Sequence, residues 1–143
     1  MRFQILIILL FIAATSFGQK TKDSLRFSIY FTECFKADTL SLALNGVTIF
    51  ENKIITTNLI YGVADYVFQT KTALWYDSNK KSPKVQIKKI NLLAIVINNK
   101  PENFEVSLKR GKHILVDKCH GTGSFIGWRA LTITQYKTAP IFD

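Results

Sequence analysis

The chain has 143 residues, 48% of them hydrophobic and 13% aromatic, with seven glycines, three prolines and two cysteines. These figures exclude a collagen-like, low-complexity or disulfide-dense chain and leave room for one domain with a sizeable core. Nineteen Lys and Arg against ten Asp and Glu give a formal net charge of +9, which points to anionic partners or to a lysine-rich solubilising surface.

The first 18 residues read as a secretory signal. Arg2 supplies the positive start, Ile5 to Ala14 form an apolar run, and Ser16 and Gly18 are small residues at −3 and −1 of a cut before Gln19. The run is too short to cross a bilayer as a helix, which needs about 20 residues. The expected product is a secreted or periplasmic chain, residues 19–143, forming one domain. Arg2 is the only charge removed, so the mature part keeps +8. The longest later apolar run, L-L-A-I-V-I at 92–97, has the length of a buried strand, so no transmembrane anchor is expected in the mature chain.

From residue 25 onward the apolar period is two. Leu25, Phe27, Ile29 and Phe31 share one face of an extended segment, and Arg26, Ser28, Tyr30 and Thr32 share the other. The sequence L-S-L-A-L-N-G-V-T-I-F at 40–50 predicts a hairpin, because Asn45-Gly46 adopts the positive φ values of a type I′ turn. Counting outward pairs Leu44 with Val47, Ala43 with Thr48, Leu42 with Ile49 and Ser41 with Phe50. Further strands are expected near 52–57, 63–71, 84–98 (bent or split), 104–109, 112–119 and 129–137, with a tight turn at Arg110-Gly111. Polar linkers are expected at 78–83, 98–103 and 120–124. This pattern predicts an all-β fold, an antiparallel β-sandwich of roughly seven to nine strands, with a closed barrel as the alternative. Residues 92–97 read as a central strand covered on both sides.

Cys34 and Cys119 are the only cysteines, and export places an even count in an oxidising compartment, which predicts a Cys34–Cys119 disulfide. Strand parity puts both sulfurs on the outer face or rim of a sheet. The competing readings of C-H-G-T-G-S at 119–124 are weaker. Cys119 and His120 point to opposite faces of a strand, and His113 lies about 20 Å from Cys119 along an extended chain. No recurrent zinc-ligand spacing joins the two cysteines to His113 and His120. The glycines at 121–127 lead into W-R-A-L-T-I-T-Q-Y, an alternating segment rather than the helix that a phosphate loop requires. Neither a metal nor a cofactor is therefore expected. The acids Asp38, Glu51, Asp65 and Asp77 have no spacing that marks a catalytic pair, so no enzyme activity is expected.

Two basic clusters stand out: Lys80, Lys81, Lys84, Lys88 and Lys89, then Lys109, Arg110 and Lys112. Lys84 and Lys88 share the exposed parity of an extended segment whose other face carries Val85 and Ile87. With Trp75 and Tyr76 just upstream, and Trp128 beside another loop, they are the candidate ligand-binding residues. A solvated edge protected by lysines explains the same pattern. The expected function is that of an exported non-enzymatic binding or structural module of the cell envelope or extracellular space, with a protein or glycan partner. The alternative is a glycan- or polyanion-binding module. Export and the lack of a recognised motif disfavour nucleic acid.

Overall fold

The computed structural model describes residues 25–71, 73–76, 80–82, 84–118 and 131–142. Among these, ten strands occur and no helix: β1 (Phe27–Phe31), β2 (Asp38–Leu44), β3 (Val47–Ile55), β4 (Asp65–Gln69), β5 (Leu74–Tyr76), β6 (Lys80–Ser82), β7 (Asn91–Ile97), β8 (Lys100–Val106), β9 (His113–Asp117) and β10 (Thr132–Tyr136). They form a six-stranded sheet in the order β10-β9-β1-β4-β5-β6 and a four-stranded sheet in the order β3-β2-β7-β8. The sheets are not closed into a barrel, and the fold is the expected β-sandwich.

The core lies between the layers. Phe27, Ile29 and Phe31 of β1, Val67, Leu74, Ile114 and Val116 face Leu40, Leu42 and Leu44 of β2 and Leu93, Ile95 and Ile97 of β7, all buried. At one end Phe31 meets Phe35 and Phe50 edge-on, with centroids 6.0 and 6.4 Å apart. Phe50 in turn stacks on Tyr76 at 6.0 Å. This aromatic cluster joins the two layers, and edge-to-face pairs of this kind add stability beyond their buried area.

The hairpin at 40–50 forms with Asn45 at φ 52° and Gly46 at φ 80°, and Leu44 and Ala43 pair with Val47 and Thr48 as expected. The next pair departs from the expected register. A bulge sets Leu42 opposite Phe50 instead of Ile49, and Asn52 takes φ 51°. Ile49 and Phe50 are therefore both buried, which strict alternation forbids and a bulge allows. The strand expected at 52–57 is the continuation of β3 beyond this bulge.

Other boundaries also moved. Residues 100–103, expected as linker, begin β8, because Asn98 (φ 48°) and Asn99 (φ 64°) make a second two-residue hairpin from β7. Residues 80–82, also expected as linker, form the short edge strand β6. The segment 107–112 is a crossing from the four-stranded sheet to the six-stranded one, so Arg110-Gly111 does not close a hairpin. Gly111 has another purpose there: a Cβ would lie 2.4 Å from the Tyr136 carbonyl oxygen, so only glycine lets the two backbones approach. β7 is covered on one face, not two. Leu93, Ile95 and Ile97 are buried while Leu92 is 49% exposed, because each sheet of a two-layer sandwich has a single inner face. One pair, β1 with β9, is parallel.

Candidate functional site

The strand directions divide the molecule into two ends of different chemistry. At the first end lie the start of β1, the turns at 45–46 and 70–73, the segments 84–90 and 107–112, and the residues after β10. Nine cations project there, all exposed: Arg26, Lys71, Lys84, Lys88, Lys89, Lys109, Arg110, Lys112 and Lys137. Among the described residues these loops contain no Asp or Glu, and Glu105, the penultimate residue of β8, is the acid that borders them.

These loops are held by neutral amide side chains and not, among the described residues, by carboxylates. Residues 84–88 do not form the strand expected there. They run extended because the buried Gln69 amide acts as a strand partner: Val85 N–H donates to Gln69 Oε1 at 2.8 Å, and Gln69 Nε2 donates to the Val85 carbonyl at 3.0 Å. Asn91, also buried, accepts from Lys88 N–H at 2.9 Å and donates to the Lys88 carbonyl at 3.0 Å. Asn45 Nδ2 donates to the Gln86 carbonyl, and Gln135 Nε2 to the carbonyls of Ser107 and Gly111, all within 3.0 Å. Neutral amides thus satisfy the loop backbone without neutralising a lysine. Lys84 Nζ donates to the Lys71 carbonyl at 2.7 Å, which fixes two of the cations beside one another. Arg26, Lys71 and Lys84 line a shallow depression of about 310 Å³ with Gln69 and Gln86.

The opposite end is held by carboxylates. Asp38, buried, accepts from Lys36 N–H at 2.9 Å, Asn98 Nδ2 at 2.6 Å and Lys118 Nζ at 2.7 Å. Burial pushes its carboxyl upward, but the bonds from Lys118, Lys36 and Asn98 outweigh this and hold it below its ordinary value. Lys53 Nζ lies 2.7 Å from Asp65 Oδ2. Both acids, read in the sequence as conceivable catalytic groups, are engaged in ion pairs. The 58–62 loop at this end presents Leu59, Ile60 and Tyr61 to solvent and closes on itself through Asn58 N–H to the Val63 carbonyl and Gly62 N–H to the Asn58 carbonyl.

Of the expected ligand-binding residues, Lys84 and Lys88 come together at the basic end, joined by Lys109, Arg110 and Lys112 from the second cluster. Lys80 and Lys81 do not join them; Lys81 lies beside Trp75 on β6, its Nζ 4.5 Å from the ring centroid. Trp75 faces outward and stacks on Phe68 at 6.3 Å. Tyr76 points to the opposite face, against Phe50 and the core, so the two neighbours cannot form one platform. Trp128 and Cys119, with His120 and the glycines at 121–127, lie outside the described residues. Cys34 sits just beyond β1, half-buried, at φ 67°. Arg26, Lys71 and Lys137 were missed because each is a lone cation in sequence, and only the strand directions bring them to one end.

The outer face of the six-stranded sheet carries a second unforeseen group. Ser28 Oγ and His113 Nδ1 are 2.8 Å apart and both residues are buried. Tyr30 stacks on His113 at 6.4 Å and meets Phe142 at 5.2 Å. Burial, then the neighbouring Lys112 charge, lowers the His113 pKa from its ordinary 6.5. The unfolded chain then binds the proton more readily than the folded one, so stability is retained above pH 6.5 and lost as pH falls through the folded value. Denaturant midpoints measured from about pH 7 to 5 are expected to decline, and to decline less in His113→Asn. Equal slopes in the two proteins would contradict this. Asp38 acts in a separate window, below its ordinary 3.8.

No protein-family model matches the chain, and no curated protein or solved structure matches it either.

Proposed function

We propose that the chain is an exported, non-enzymatic β-sandwich module that binds an acidic glycan or similar anionic polymer of the cell envelope or extracellular space through its basic end. The observation that carries this reading is the separation of charge: nine exposed cations crown one end, and its loops hold no acid among the described residues. At the other end Lys53 and Lys118 are paired with Asp65 and Asp38, and the exposed Lys36 and Lys100 share that end with Glu33 and Asp117, so the charge there is mixed. A surface lysine needed only for solubility has no reason to be segregated in this way. A field of several kT over a surface raises the local concentration of an anionic partner and its rate of encounter. The signal-like residues 1–18 support export, which places a glycan ahead of nucleic acid as the polymer.

The reading includes a Cys34–Cys119 disulfide. What supports it is the parallel register of β1 and β9, in which Phe31 pairs with Val116 and Ser28 with His113, a constant offset of 85. Cys119 follows Cys34 by the same 85 positions. Thr32 continues the pairing past the strand end, its N–H donating to the Val116 carbonyl at 3.0 Å.

Lys84→Glu together with Lys88→Glu is expected to weaken binding to heparin, used as a soluble acidic polysaccharide, by about tenfold or more at physiological salt. Both side chains are exposed and, among the described residues, only the Lys84 bond to the Lys71 carbonyl is lost, so the thermal midpoint should change little. Unchanged retention on a heparin column would count against the basic end as the binding surface.

A further inference from the structure

We propose that a cleft on the outer face of the six-stranded sheet is a second binding site, for a neutral oligosaccharide. The cleft is open to solvent and has a volume of about 810 Å³, within the range of ligand sites. It is lined by Tyr30 of β1, Tyr66 and Phe68 of β4, Tyr61 from the 58–62 loop and Phe142 from the C-terminal segment, and it extends to the end of β3 at Lys53 and Ile54. The core does not account for these rings. The solvent side of a sandwich sheet is ordinarily polar, yet Tyr66 and Phe68 stand there as near-parallel neighbours, 6.1 Å apart at 16°. Tyr61 and Tyr66 are 62% and 37% exposed, so both present ring surface to a ligand.

The chemistry of the lining selects the ligand class. Aromatic faces accept the C–H side of a sugar ring through many weak contacts. The tyrosine hydroxyls, with Thr56 and Asn58 at the rim, supply groups that both donate and accept, as sugar hydroxyls require. An acyl chain would bury the tyrosine hydroxyls without partners, which is costly, while Thr56 Oγ1 and Asn58 Oδ1 already accept from the Ala37 and Ile60 N–H groups. The charged residues of the cleft, Lys53 and Asp65, neutralise one another at 2.7 Å, so the site has no preference for an anion. In this it differs from the basic end, and Tyr61 lies at the opposite end of the strands from Lys84 and Lys88.

The test is saturation-transfer NMR and titration of the protein against neutral oligomers of glucose, xylose, mannose and N-acetylglucosamine. At least one is expected to bind through its ring C–H protons, with an affinity unchanged between about 0.05 and 0.5 M salt because no net charge is involved. Tyr66→Ala is expected to weaken it about tenfold and Tyr66→Phe far less, as loss of a ring contact predicts. The Lys84→Glu, Lys88→Glu protein should bind the oligomer as the parent does. The proposal is overturned if no oligomer binds, or if Tyr61→Ala combined with Tyr66→Ala, folded by its thermal midpoint, binds normally. Binding that weakens with salt and with the lysine exchanges would place the sugar at the basic end and also overturn it.

Discussion

Phe31→Ala is expected to lower the free energy of unfolding by about 3–5 kcal/mol, measured by denaturant titration. Phe31 is fully buried on β1, a central strand of the six-stranded sheet, and its ring is the meeting point of Phe35 and Phe50. Phe35 belongs to the connection between the layers and Phe50 to the bulged edge strand of the other sheet. Truncation therefore removes apolar contact from two directions at once. The fully buried surroundings relax only in part around such a cavity, which places the cost in the large-to-small range for a buried aromatic ring. A domain of this size has about 5–15 kcal/mol in total, so the variant should be marginal at 37 °C. Phe31→Leu, which keeps most of the volume, should lose less than half as much. Equal losses for the two substitutions would show that the aromatic cluster is not what joins the layers.

Cys34→Ser is expected to cost about 2–5 kcal/mol, and treatment of the parent with reductant should produce the same loss. A bridge closing 85 positions restricts the unfolded chain by about 4–5 kcal/mol in the loop-entropy account. The constant offset of 85 between the parallel strands β1 and β9 is the observation that favours this pairing. The thermal midpoint of the parent should fall on reduction, while that of Cys34→Ser should not respond. If reductant leaves the parent unchanged, the bridge is absent and the pairing must be withdrawn.

The sequence revealed what depends on neighbours and hid what depends on topology. Period-two alternation located most strands, and Asn45-Gly46 fixed the one hairpin whose turn chemistry is unambiguous. Asn98-Asn99 carries a weaker form of the same signal, which Pro101 and the charges around it concealed. The bulge after Thr48 could not be read, since Ile49 and Phe50 are both apolar and either satisfies the pattern. Residues 84–88 show real alternation, with Val85 buried and Lys84 and Lys88 exposed, but their hydrogen-bonding partner is a glutamine side chain. No periodicity distinguishes that arrangement from a strand. The basic end was half legible: two clusters were visible as runs, but whether runs separated by twenty residues meet depends on the crossing at 107–112. The aromatic cleft was not legible at all. Tyr30, Tyr66 and Phe68 sit at polar-parity positions of their strands, and each taken singly looks like an ordinary surface aromatic.

The central claim is that one end of this sandwich is built to hold an anionic polymer, and its most direct measurement is the salt dependence of heparin affinity. Each anionic group neutralised by a lysine releases bound counter-ions, so affinity falls linearly in log–log coordinates with a slope set by the number of contacts. With nine cations gathered at one end, the slope should be about three or steeper, and it should flatten in the Lys84→Glu, Lys88→Glu protein. A parent protein that fails to bind heparin at low salt, or binds it with an affinity indifferent to salt, would contradict the account.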